Sequence, residues 1–320
     1  MKFFTGTAPA LLLVTCAISA AAQQTKPMQR AHHALVYDAR HERVLLIGGS
    51  TPLDGGNRFE FFDDVWAYDG AGWKHVHSSN VRRSGERVAY GSNNGGVSSF
   101  GGFDGSQSLP DLRRFVDSTW QVLPALRGRP TAEGGAVYDA RRAVLVVFGG
   151  GGQQTTHGDT WEFDGSSWKQ VDVAGPPPRQ AFAMIYDAKR SKTVLFGGFG
   201  ADPGIPFGDT WEYDGREWKR VASEGPTARH SAGYAYDSKR GLMMVFGGFT
   251  PSGHVGDTWS WDGAAWKQLA TDGPPARGMG QLAYDARRDR LVLFGGRAGY
   301  PNGDLQDTWE WDGSKWVQFK

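Results

Sequence analysis

The stretch DTWEWDGSKW, Asp307 to Trp316, overlays without a gap on five earlier ones. These are DVWAYDGAGW from Asp64, DLRRFVDSTW from Asp111, DTWEFDGSSW from Asp159, DTWEYDGREW from Asp209 and DTWSWDGAAW from Asp257. In each copy nine positions separate the aspartate from the closing tryptophan, and all 13 tryptophans of the chain lie inside these six windows. Self-similarity of this kind marks a repeat array, in which one small unit is stacked several times to bury a continuous core.

Working outward, a second spacing is as fixed as the first. Tyr37, Tyr90, Tyr138, Tyr186, Tyr236 and Tyr284 each precede a double glycine by eleven residues, the pairs beginning at Gly48, Gly101, Gly149, Gly197, Gly247 and Gly295. Only the piece between double glycine and aspartate varies much in length, as an exposed loop does. Within a unit the runs AFAMIYD, VLFGG, DTWEYD and WKRV, between Ala181 and Val221, read as four short strands. Asp214-Gly215 sits between the third and fourth, where a tight hairpin needs residues tolerant of positive φ. No window shows helical periodicity with caps. Four strands in a meander, repeated six times, is the pattern of a propeller with one blade per unit. The expected blades cover residues 30–78, 79–124, 125–172, 173–222, 223–270 and 271–320.

A double glycine after an apolar strand, a spaced aromatic in the third strand and a tryptophan opening the fourth resemble the kelch repeat, from about Arg30 to Phe319. The second unit departs from it, with Arg113 for the first tryptophan, Val116-Asp117 for Asp-Gly and Gly91 for the aspartate after the tyrosine. The resemblance implies an all-β, six-bladed kelch-type β-propeller with four antiparallel strands per blade. No strand is left over to swap between the last blade and the first. Closure then rests on packing blade six against blade one, which points to Trp309, Trp311 and Trp316 as the seam. The in-register tryptophans are expected to fill the wedges between blades.

Residues 1–22 carry one lysine, an apolar LLLV core and small residues ending at Ala22, the layout of a secretory signal peptide. Residues 23–29 form a short polar lead, expected to be disordered. Loss of 1–22 removes the sole cysteine, Cys16, and takes the basic residues from 35 to 34, against 34 acidic ones. Such a chain has no thiol chemistry, and its neutrality speaks against a nucleic-acid partner. With no Asn-x-Ser/Thr sequon present, the simplest expectation is an exported bacterial monomer, periplasmic or extracellular. The alternative is a lipoprotein anchored at Cys16, reading Leu13-Val14-Thr15-Cys16 as a lipobox. No transmembrane segment is expected.

Seven residues before five of the six tyrosines stands an arginine: Arg30, Arg83, Arg179, Arg229 and Arg277, with Thr131 in the third unit. Antiparallel order puts these arginines, the double glycines and the third-strand aspartates at one end of the disc. The arginines then either ring the channel mouth as ligand donors or pair with the aspartates. Binding candidates outside the repeat register are Arg58, Phe59, Phe61 and Phe62 in the longest loop, Phe207, His230 and Tyr300. The histidine spacings make no metal motif, and no cofactor is expected.

Function reads as a non-catalytic module binding a carbohydrate or peptide on the loop face. The alternatives are a scaffold in an exported assembly or a sugar mutarotase or epimerase. The enzyme would need an acid–base pair near the channel, for which Glu86, Glu133 and His230 are available. Galactose oxidase, which the resemblance brings in, needs a cysteine-linked tyrosine, and the processed chain would hold no cysteine.

Overall fold

A computed structural model describes residues 25–53, 56–91, 95–129, 131–151, 155–202, 205–299 and 303–320. The signal segment, Cys16 and Tyr300 lie outside these residues. The first blade runs from β1 (Ala34–Asp38) at the axis through β2 (Arg43–Ile47) and β5 (Asp64–Tyr68) to β6 (Trp73–Ser78) at the rim. Between its second and third strands the chain forms a side hairpin, β3 (Ser50–Leu53) against β4 (Arg58–Phe61). Five further antiparallel four-stranded sheets follow, and in the fifth blade of the disc the middle strands are lengthened to Leu242–Thr250 and Gly253–Trp261. No α-helix occurs among the described residues. The innermost strands contact one another in ring order, the last of them (Gln281–Asp285) closing on Ala34–Asp38.

The two middle strands supply the apolar payload, and six buried clusters sit one between each pair of blades. The closing tryptophan of a blade leans onto the blade before it. The indole N–H groups of Trp73, Trp218, Trp266 and Trp316 donate to the Thr308, Thr160, Thr210 and Thr258 hydroxyls at 2.9, 3.0, 2.9 and 2.9 Å. The seam therefore differs from the expectation. Trp311 and Trp316 face blade five, among Met244, Phe246 and Leu282, with Trp309 packed beside them. Blade one supplies the seam instead, through Trp66, Tyr68 and Trp73 against Val292 and Phe294. The lean runs one way around the disc, so the first blade's tryptophans close it.

The double glycine has a steric cause. At Gly197, φ is +72° and a Cβ would stand 2.5 Å from the carbonyl oxygen of Arg229 in the next blade; at Gly198, φ is +89°. The freed space lets the second glycine's N–H donate to that carbonyl at 2.9 Å. The same bond joins Gly49 to Arg83, Gly102 to Thr131, Gly150 to Arg179, Gly248 to Arg277 and, across the seam, Gly296 to Arg30. The described part of the lead is also tied down: Pro27 and Met28 give their carbonyls to the side chains of Gln306 and Arg30.

Candidate functional site

The repeat arginines are spent on structure. Arg30, Arg83, Arg179, Arg229 and Arg277 are buried, and each fork grips both oxygens of the third-strand aspartate of its blade. One Nη also reaches the carbonyl of the first glycine, for example Arg229 to Gly247 at 3.0 Å. In the third blade the position aligned by spacing holds Thr131, and Arg129, two residues earlier, grips Asp159 instead. Except in the second blade, where Arg113 stands in its place, a tryptophan two residues on also donates its indole N–H to the aspartate, as in Trp211 to Asp209 at 2.7 Å. Burial alone would raise the Asp209 pKa, but Arg179 and Trp211 outweigh it and hold the carboxyl below its ordinary value. Arginines so engaged cannot serve as a ring of free donors.

Phe62 and Phe207 are placed alike, two residues before the aspartate. Each lies under a guanidinium, with Arg30 3.9 Å above the Phe62 ring and Arg179 4.0 Å above Phe207. They lid the ion pairs rather than face a ligand. Glu86 is also removed from the channel: it is buried between sheets, bonded to the Ser99 hydroxyl and to Arg113 at 3.2 Å.

What rings the mouth is the pair of residues after each arginine, together with the residue after each double glycine. At the second position stand His32, Gly85, Glu133, Ala181, Ser231 and Met279, all with φ between +53° and +67°. Their backbones join head to tail around the axis. Gly85 donates to His32 at 2.8 Å, Glu133 to Gly85 at 2.9 Å, Ala181 to Glu133 at 2.8 Å and Ser231 to Ala181 at 2.7 Å. Met279 to Ser231 at 2.7 Å and His32 to Met279 at 3.2 Å close the circle. This collar fixes the neck of the channel.

Above the neck lies a pocket of about 360 Å³. Its floor is the contact of His32 Nδ1 with Glu133 Oε1 at 2.7 Å, reaching from blade one to blade three past Gly85. Burial works to raise the Glu133 pKa, but His32, Arg87 and His230 more than offset it and bring it down to about 2. The carboxylate is thus charged at neutral pH. The β3–β4 hairpin forms one wall. Phe61 packs on Phe103 at 6.0 Å, and Phe59, 45% exposed, lies under the Arg297 guanidinium at 5.8 Å. Arg297 is itself held by Asp304 at 2.7 Å. Gln180, Ser84 and Ser108 complete the lining. Arg58 stands exposed on the hairpin. His230, half-buried between Phe199 and Phe249, bonds the Ser231 hydroxyl at 3.0 Å, and burial pushes its pKa down.

The structure therefore brings together Phe59, Phe61, Glu133 and His230 from the sequence candidates. His32, Phe103 and Gln180 were not singled out for the site, although His32 and Gln180 are each peculiar to their blade, while Phe103 shares its place after the double glycine with Phe199 and Phe249. Among the described residues no three histidine, acidic or cysteine side chains converge as metal ligands. No described helix is long and apolar enough to cross a membrane.

A disc of six meander blades, closed by backbone rings and opening into a lined mouth, defines a six-bladed β-propeller. The KLHDC2/KLHL20/DRC7 Kelch-repeats domain family matches residues 165–320, and with the six blades this makes the chain a kelch-repeat β-propeller. No curated protein matches it.

Proposed function

We propose that the chain is an exported, non-catalytic interaction module whose upper mouth takes an extended peptide segment of a partner protein. Kelch propellers are commonly protein-interaction modules. The observation that carries the peptide reading is the lining of the mouth. The phenylalanines Phe59, Phe61 and Phe103 stand beside the hydrogen-bonded His32–Glu133 floor and the Gln180 amide, so one pocket offers an apolar anchor and polar partners together. Peptide-display selection on the purified protein should enrich a motif with an aromatic or aliphatic anchor, and F59A/F61A should abolish its binding. Enrichment of no motif, with binding on a glycan array, would move the ligand to a carbohydrate. Cell fractionation and N-terminal sequencing test export, which predicts a new terminus near Gln23.

A second reading draws on the same His32–Glu133 contact. A histidine oriented by a carboxylate, with His230 nearby, can move a proton on a bound sugar. Acceleration of the anomeric equilibration of free sugars, lost in H32Q, would establish it.

A further inference from the structure

The other end of the channel is built differently. Below the collar the six inner strands enclose a cavity of about 310 Å³, lined by Val36, Val88, Val137, Ile185, Tyr234 and Leu282 among others, with the repeat tyrosines at its lower rim. That volume equals about ten waters of the liquid. The rim hydroxyls whose bonds are resolved are already engaged: Tyr236 donates to Asp187 of the preceding blade at 2.9 Å, and Tyr284 to Asp289 at 2.8 Å. The wall thus offers mainly apolar surface.

Around this rim each inner hairpin carries a cation three residues after its tyrosine: Arg40, Arg141, Lys189, Lys239 and Arg287, the second blade excepted. Three of them are neutralised by the next blade, Arg287 by Glu42 at 3.0 Å, Lys239 by Asp289 at 2.6 Å and Arg40 by Asp117 at 3.5 Å. Facing Arg141 and Lys189, the equivalent positions hold Ser191 and Gly241. Among the described residues neither cation has an ionic partner, and both are exposed. The acidic groups of their own blades do not reach them, because Asp139 and Glu162 share Arg142 while Asp187 and Glu212 share Arg190.

An apolar bore with two adjacent free cations on one side of its rim is complementary to an anion with a hydrophobic tail. We propose that the lower mouth binds a long-chain alkyl carboxylate, tail in the bore and headgroup on Arg141 and Lys189. The site is separated from the upper mouth by the collar and does not depend on the peptide reading.

Calorimetric titration of the full chain with dodecanoate, below its micellar range, tests it. The expected result is one saturable site, weakened at least tenfold in R141A/K189A and lost in A140W, which puts an indole at the entrance in place of the Ala140 methyl group. Both variants change exposed turn residues, so folding is retained and confirmed by melting. Dodecyltrimethylammonium should not bind. The proposal is overturned by no saturable dodecanoate binding, by undiminished affinity in R141A/K189A, or by equal binding of the cation. Binding only to vesicles of anionic phospholipid would overturn it too, since that is a surface interaction without entry of the tail.

Discussion

At the scale of single residues, departures from the repeat show what each repeat position is for. The buried Trp120 indole N–H has no partner, because the position that supplies a threonine in four blades is Val65 in the first. An unpaired buried donor is costly and a net hydrogen bond is worth about 1 kcal/mol. Val65→Thr should therefore stabilise the protein by about 1 kcal/mol, seen as a rise of about 2 °C in melting temperature, and the gain should vanish in V65T/W120F. His33 is a second departure. It is buried at the seam, edge-on to Phe294 at 5.6 Å, in the place that Phe182 takes against Phe148 in blade four. Burial, with Arg30 and His32 adding to it, pushes its pKa down to about 3 against a backbone contact from Phe294 that opposes. The folded state keeps His33 neutral while the unfolded chain takes up a proton below about pH 6.5, so stability is intact above that pH and drains away towards pH 3, by about 1.4 kcal/mol per unit. His33→Phe should flatten urea-unfolding stability between pH 6.5 and 4. The aspartates of the arginine pairs, Asp159, Asp209, Asp257 and Asp307, are held low and act in a separate window, stabilising above about pH 3.8 and failing below it.

At the scale of elements, the β3–β4 hairpin is a piece added to blade one that spans the mouth, resting Phe61 on blade two and setting Phe59 against Arg297 of blade six. Beyond the buried Ser50 and Thr51 at its base it carries half-buried and exposed side chains, and it takes no part in the collar. Replacing residues 52–61 with a short Gly-Ser link should abolish peptide binding while moving the melting temperature little; early melting with binding kept would make the hairpin a structural cover. Strands, turns and blade count were legible in the sequence because six copies repeat them in register. The mouth was not, for the converse reason: its residues occupy positions where the copies disagree, so no period marks them. His32 and Glu133 are 101 residues apart and meet only because the ring brings blades one and three together over Gly85. Arg129 was missed because a shift of two positions breaks the spacing while leaving the guanidinium within reach of Asp159. Phe62 looked like a loop aromatic because its equivalents are Leu109, His157, Phe207, Val255 and Leu305, a set with no shared side-chain chemistry, in which Phe62 and Phe207 lie under a guanidinium.

At the scale of the whole molecule, six similar units must close without a covalent clasp. The seam carries the same bonds as the other junctions: Gly296 to the Arg30 carbonyl at 2.9 Å, His32 to Met279 at 3.2 Å and the Trp73 indole to Thr308 at 2.9 Å. Thr308→Val should weaken this junction by about 1 kcal/mol, the same as Thr210→Val at an interior one, as paired denaturation curves would show. Equality of that kind means that the order in which the blades are strung along the chain is not itself a structural requirement. Thr25 and Lys26 line one hollow with Phe319 and Lys320, so the first and last described residues lie side by side. A circular permutant joining them through a short linker, and opened near Gly175 between blades three and four, should fold to the same disc with a similar midpoint in urea. Its old seam would become a loop and an old loop a seam, and the molecule would have exchanged its beginning for another without loss.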